Sequence, residues 1–283
     1  MIPWYQVDET LLRALREDVP YLDLSCEPLF PPEHRSTACL VAKGEGVLCG
    51  GPIFLRTFKL IDPACDGLVL RKDGAPFIPG DILAELDGPT AALLQGERTA
   101  LNMLQHLSGV AAMTARVVRA VEGTGAQVSD TRKTLPGLRA LQKYAVRCGG
   151  GRNHRFNLSD GVMLKDNHID AAGSIGAAAE AVRKKLGHMV KLEIETRTLE
   201  EVGQALEAGA DVIMLDNMTL EEMKQAVGLV RGTPGHETTP LEASGDITEE
   251  NARAVAETGV DIISLGALTH SVKAANVSMK IRH

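Results

Sequence analysis

The feature that most constrains this chain is a rhythm that begins after Gly125. Stretches rich in strand-forming residues at 127–129, 161–164, 190–194, 211–215, 240–243 and 261–265 alternate with helical stretches at 138–146, 171–186, 199–208, 220–230 and 249–257. Strand and helix in strict alternation require parallel strands joined by helical crossovers. Two architectures satisfy that: an open doubly wound sheet, or a closed or nearly closed barrel. The residues after each strand discriminate between them. The strands run into Asp130-Thr131-Arg132-Lys133, Lys165-Asp166-Asn167-His168, Glu193 with Glu195, Asp216-Asn217, Ser244-Gly245, and Gly266. An open sheet needs such ends only beside its switch point. A barrel gathers its active site from every strand at the C-terminal rim, so the pattern favours a barrel. The stretch is shorter than eight strand–helix units require.

The third strand supports this reading. In Lys191-Leu192-Glu193-Ile194-Glu195, alternation sends Leu192 and Ile194 outward against helices and turns Lys191, Glu193 and Glu195 into the barrel. Charges are costly to bury unless paired or used, so an inward row of them marks a site. The first part of the chain differs. Residues 2–16 read as a helix with Asp8 as a candidate N-cap. Strands are expected at 37–43 and 47–49, joined by a turn at 44–46, and at 68–71 and 81–86. Helical spacing covers 90–121, with a break expected near Gly109. This half reads as an α+β domain with a mostly antiparallel sheet.

The composition narrows the function classes. Aromatics make up 3% of the 283 residues, so the core is aliphatic, and the net charge of −7 argues against a general nucleic-acid binder. No apolar run is long enough to span a bilayer, and acids stand where a signal peptide needs an apolar stretch. A cytoplasmic protein is expected. Five cysteines, an odd number with no C-x-x-C pair, read as buried, reduced thiols.

Against the acidic total, residues 130–155 hold Arg132, Lys133, Arg139, Lys143, Arg147, Arg152, His154 and Arg155, with Asp130 as the one acid. Lys143 and Arg147 read as the solvated face of a helix. Arg132 and Lys133 end a strand, and His154-Arg155 follow Gly149-Gly150-Gly151. These four are placed to meet an anion: guanidinium forks match carboxylates, ammonium suits phosphate, and glycines let backbone approach a ligand. Across the rim, Glu195 and Asp216 could hold Mg²⁺ bridged by a phosphorylated substrate, or stabilise a cationic transition state. Ser244, Gly245 and Gly266 stand where barrels bind phosphate. No Walker A loop or G-x-S-x-G elbow is present. His106 reads as a structural histidine, and Trp4 and Tyr5 as anchors for the first helix.

The block DTRKTLPGLRALQKYAVRCGGGRNHRFNLSDGVMLKDNHI at 130–169 resembles the quinolinate phosphoribosyltransferase family. So do GERTALN (96–102), KLEIET (191–196), LDNM (215–218), LEASG (241–245) and GALTHS (266–271). The resemblance implies an N-terminal α/β sandwich at 1–110 and an open α/β barrel of fewer than eight strands at 111–270. It also implies a tail at 271–283 that returns to the first domain. The implied reaction joins quinolinate to phosphoribosyl pyrophosphate with Mg²⁺, giving nicotinate mononucleotide, pyrophosphate and CO2. The implied assembly is a homodimer with shared sites. By the same resemblance Arg132, His154 and Arg155 hold the quinolinate carboxylates, with Arg98 from the other subunit. Lys133 and Lys165 face both substrates, Glu195 and Asp216 lie near ribose and magnesium, and Ser244, Gly245, Gly266 and His270 form the 5′-phosphate pocket.

Two positions depart from the family pattern. Gly245-Asp246 stands where Gly-Gly is common, and Asp246 is expected to cap a helix starting near Thr248; Leu135 replaces a frequent Thr. A molybdenum-linked paralogue of the same fold typically lacks the Arg152–Arg155 and Lys165–His168 blocks. A nicotinate phosphoribosyltransferase would not need so many cations for one carboxylate. A purely anion-binding module would have no use for Glu195 and Asp216.

Overall fold

The computed structural model describes residues 2–282, so Met1 and His283, the outermost residues of the expected first domain and tail, lie outside it. In chain order the elements are α1 (Trp4–Asp18), β1 (Arg35–Ala42), β2 (Gly46–Val47), α2 (Gly51–Ile61), β3 (Asp66–Val69), β4 (Pro76–Phe77), β5 (Ile82–Pro89) and α3 (Thr90–Ala120). There follow β6 (Gln127–Ser129), α4 (Arg139–Cys148), β7 (Val162–Leu164), α5 (Asp166–Ala172), α6 (Ile175–Arg183), β8 (Leu192–Thr196), α7 (Leu199–Glu207) and β9 (Val212–Asp216). The chain closes with α8 (Leu220–Gly232), β10 (Leu241–Ser244), α9 (Ala252–Ala256), β11 (Ile262–Ser264), α10 (Ala267–His270) and β12 (Val277–Arg282). They group into two compact units, one of 2–115, Thr134–Gly150 and 268–282, the other of Arg116–Lys133 and Gly151–Ala267.

The first unit is built on an antiparallel sheet in the order β12-β1-β5-β3. β12 pairs with β1 from Thr37↔Arg282 to Ala42↔Val277, so the end of the chain is a strand of this sheet. Its aliphatic face (Ala38, Leu40, Leu83, Val277, Met279) packs with Phe54 and Phe58 of α2 and Leu93, Leu101 and Leu104 of α3. α1 docks through Val7, Leu11 and Leu15, while Trp4 and Tyr5 are exposed. Asp8 is no cap: the helix starts at Trp4, and Asp8 instead accepts two hydrogen bonds from Arg56 of α2, at 2.9 and 2.6 Å. The expected hairpin between the first two strands is absent. β2 pairs with β4, and β1 takes β5 and β12 as neighbours.

α3 does not break at Gly109. A Cβ there would lie 2.4 Å from the carbonyl oxygen of Lys273, so the glycine thins the helix for a close crossing and the hydrogen-bond ladder continues. Lys143 also departs from expectation: it is among the largest fully buried side chains, on the inner face of α4 with Leu141, Gln142, Ala145 and Val146, whereas Arg147 is exposed.

The second unit contains the parallel sheet, in the order β6-β11-β10-β9-β8-β7. Six strands curl without closing, since β6 and β7 are not paired; Arg152 bridges to Ser129 along the free side of β6. The helical stretch at 171–186 is two helices, α5 and α6, separated at Gly173 with φ +90°. α9 is shorter than expected and begins at Ala252. Among the described residues no helix is long and apolar enough to cross a membrane.

Candidate active site

Leu192 and Ile194 of β8 are fully buried on one face, and alternation turns Glu193 and Glu195 to the other. Glu195 meets Lys165, the residue after β7, with Nζ 3.4 Å from the carboxylate. Burial raises the affinity of Glu195 for a proton; the Lys165 ammonium opposes this, and the charge of Asp216 at the end of neighbouring β9 adds to it. Three charged groups from three consecutive sheet strands thus share one end of the barrel.

The next strand end is fixed by a glycine. Asn217 follows Asp216 with φ +53°, its amide nitrogen donates to the Ser244 carbonyl at 2.9 Å, and its side-chain nitrogen donates to Asp216 at 3.0 Å. Gly245 has φ +95°, and a Cβ there would sit 2.1 Å from the Asn217 side-chain oxygen. Only glycine fits, and the loops after β9 and β10 are locked together. Asp246 is exposed with φ +46° and does not cap α9; its carbonyl instead accepts a hydrogen bond from Asn251 at 3.0 Å. Gly266 follows β11 by two residues and completes this end.

The glycine run leads elsewhere. Arg152 pairs with β6, and the buried Asp130 then accepts from the Asn153 side chain at 2.6 Å and the His154 backbone at 2.9 Å. The His154 ring turns into the barrel. Its Nδ1 accepts from the Arg155 backbone at 2.7 Å, so Nε2 carries the proton, 3.0 Å from Glu193 and 3.6 Å from Glu242. Burial, and then the charge of Glu193, push the Glu242 carboxyl up to about 7, while His154 pulls it down. Arg155 donates to the Gly161 carbonyl at 2.8 Å; burial and the nearby Arg132 guanidinium disfavour its charge, and Glu193 favours it. His154, Arg155, Glu193 and Glu242 line a hollow of about 490 Å³ that also takes in Gln127, Val162 and Ile262, residues that begin their strands.

The expected constellation is therefore divided. Lys165, Glu195, Asp216, Ser244, Gly245 and Gly266 sit at the C-terminal ends of the strands, as do Arg132 and Lys133 after β6. His154 and Arg155 reach down inside the barrel, and both nitrogens of His154 are engaged. Arg98 and His270 belong to the other unit. Arg98 is exposed on α3 beside a hollow of about 220 Å³ also lined by Glu17, Asp18 and Asn102. His270 is exposed and shares a 2.6 Å hydrogen bond with Ser271. Sequence reasoning gave Glu242 no part; its signal was an acid between Leu241 and Ala243, the alternation that marked Glu193. His106, read as structural, meets the Gln142 side chain at 2.8 Å, and burial lowers its proton affinity.

This is an open six-stranded parallel α/β barrel with Arg132 and Lys133 after β6, Lys165 after β7, and carboxylates at the ends of β8 and β9, the polar rim typical of α/β-barrel enzymes. Residues 23–108 match the N-terminal domain of quinolinate phosphoribosyl transferase and residues 110–280 its C-terminal domain. The chain belongs to that family. A relative from Bacillus subtilis (strain 168), named as a probable nicotinate-nucleotide pyrophosphorylase [carboxylating], is 46% identical over 98% of this chain and 93% of its own length. The Mycobacterium leprae nicotinate-nucleotide pyrophosphorylase is 40% identical over 96% of both chains. The crystal structure of NadC from Streptococcus pyogenes superposes with a TM-score of 0.93 at 43% identity, covering 98% of this chain and 97% of that one. Human nicotinic acid phosphoribosyltransferase shares the fold alone, at 13% identity and a TM-score of 0.62 over 99% of this chain and 74% of that one.

Proposed function

We propose that this chain transfers the phosphoribosyl group of phosphoribosyl pyrophosphate to quinolinate with loss of CO2, giving nicotinate mononucleotide for NAD biosynthesis. Beyond the family match, the observation that supports this reading is that Arg132 and Arg155 lie close enough for the Arg132 guanidinium, after burial, to disfavour the charge of Arg155. A dicarboxylate would bring two carboxylates that match these guanidinium forks. His154 would meet a carboxylate only by exchanging it for Glu193, and Gly149-Gly150-Gly151 gives the loop freedom to re-seat. Hydrogen bonds of this kind often form only in the substrate complex.

The pyridine nitrogen is itself the nucleophile, so no activated serine or cysteine is needed. As the bond to pyrophosphate lengthens, positive charge grows on the ribose, and Glu195 and Asp216 stabilise it. Lys133 and Lys165 offset the charge of the leaving pyrophosphate. Ser244, Gly245, Gly266 and His270 hold the 5′-phosphate end. Two carboxylates on neighbouring strands fit Mg²⁺, which takes one or two protein carboxylates and completes its shell with water and phosphate. When bound there it would neutralise charge on the pyrophosphate. Once the ring nitrogen is quaternary, its positive charge stabilises the electron pair left on C2 by the departing CO2, and that carbon then takes up a proton.

We further propose a homodimer in which Arg98 reaches the partner's site, and a cytoplasmic location, which suits five free thiols. Mixing inactive Arg98→Ala and Arg155→Ala chains tests the shared site. Subunit exchange should restore about a quarter of wild-type activity, through one intact site in half of the dimers. No recovery after proven exchange would put both residues in the same subunit's site.

A further inference from the structure

A second cluster of reactive side chains lies in the first unit and contains none of the residues named in the proposed site. The sulfurs of Cys49 and Cys148 and a carboxylate oxygen of Asp73 lie within 4.8 Å of one another. Cys49 is fully buried just before α2; Cys148, the last residue of α4, is partly exposed. Both are followed by glycines, Gly50-Gly51 and Gly149-Gly150-Gly151, and Gly50 has φ +92°.

Asp73 is already committed. One oxygen accepts from the Gly51 backbone at 3.0 Å, and the other from the Gly50 backbone at 2.9 Å and the Tyr144 hydroxyl at 2.7 Å. That leaves two thiols for any metal, two ligands fewer than a structural zinc site takes. The thiols face each other instead. The neighbouring Cys49 thiol lowers the proton affinity of Cys148, whereas burial, and then Cys148, raises that of Cys49. Tyr144 and Arg147 act on Cys148 in the same direction, against burial and the charge of Asp73. Burial moves the other way elsewhere, pushing Cys26 up to about 12 and Cys65 up to about 11. A partly exposed thiol held toward the thiolate beside a buried neighbour is the arrangement of an attacking and a resolving cysteine.

We propose that Cys49 and Cys148 form a reversible redox pair, oxidised by a peroxide to a disulfide that ties the end of α4 to the start of α2. The Cys148 thiolate attacks one peroxide oxygen; the S–O bond forms, the O–O bond breaks, and the leaving hydroxide takes a proton to become water. The Cys49 sulfur then attacks the sulfenic sulfur; the S–S bond forms, the S–O bond breaks, and a second water leaves with the Cys49 proton. Two thiols and one peroxide give one disulfide and two waters. Cys49 needs no access to solvent, because its target is already beside it. The sulfurs must close to about 2.05 Å, and the glycine after each cysteine gives the backbone that freedom. The bond would anchor the residue from which the glycine run departs toward Arg152–Arg155.

The test is peptide mapping of the full chain after brief exposure to hydrogen peroxide and alkylation of the remaining thiols. The expected product is a Cys49–Cys148 linked peptide that a thiol reductant removes, with Cys26, Cys39 and Cys65 still alkylated. Before oxidation, Cys148 should alkylate at least about tenfold faster than any other cysteine. In Cys49→Ser, Cys148 should be trapped as sulfenic acid by a dimedone-type reagent. Overturning results are a wild-type chain in which Cys148 ends as sulfinic acid with Cys49 still a free thiol, or one in which another cysteine is oxidised first. Neither result depends on the catalytic assignment, because no activity is read.

Discussion

Among the described carboxylates, Glu242 is the one whose surroundings oppose its charge most clearly. It is buried, faces Glu193, and is relieved in part by a His154 nitrogen at 3.6 Å and by Ser264. Its carboxyl titrates near 7 in the fold and at 4.5 as a free side chain. A raised carboxyl keeps its proton longer folded than unfolded, so it favours the fold below about pH 4.5 and loses that contribution as pH rises toward 7. Melting curves across that window should show wild-type stability falling, and Glu242→Gln should lack that fall. Asp130 is the opposite case, buried yet spent on Asn153 and His154. Asp130→Ala frees two donors and should cost about 1–3 kcal/mol in denaturant unfolding. It should also raise the quinolinate KM more than it lowers kcat, since it positions the loop and touches no substrate. Arg155→Lys keeps the charge and loses the fork, so quinolinate kcat/KM should drop roughly ten- to hundredfold, with phosphoribosyl pyrophosphate KM little changed.

At the scale of elements, the parallel strands and the polar residues at their ends were legible, because strand–helix alternation and period-two patterning are local signals. Glu193 and Glu195 could be read as inward-facing for that reason. Lys143 could not: the periodicity of α4 shows that one face differs from the other, and its neighbours decide which is buried. The continuity of α3 through Gly109 and the pairing of β2 with β4 were hidden for a related reason. Each depends on a residue distant in sequence, Lys273 in the first case and Phe77 in the second. His154 stood out in the sequence as a candidate, while its seat between Glu193 and Glu242 required the fold. Gly245, in the proposed phosphate loop, gives the sharpest element-scale prediction. Gly245→Ala combines φ +95° with an overlap on Asn217, so it should cost about 1–3 kcal/mol or more in urea unfolding and weaken phosphoribosyl pyrophosphate binding. Loss of neither would mean the loops after β9 and β10 are not coupled.

For the whole molecule, the resemblance carried by the long block at 130–169 extends over both units, since the family matches run from residue 23 to 108 and from 110 to 280. The chain's acidic balance is compatible with anionic substrates because its cations are concentrated after β6 and along the glycine loop. The most direct test of the account is turnover with quinolinate, phosphoribosyl pyrophosphate and Mg²⁺, following nicotinate mononucleotide and CO2 together, beside nicotinate as the competing acceptor. Quinolinate should be converted with one CO2 released per nucleotide formed, and nicotinate should not be used. Folded protein that converts nicotinate, or neither acid, with both substrates saturating would contradict it.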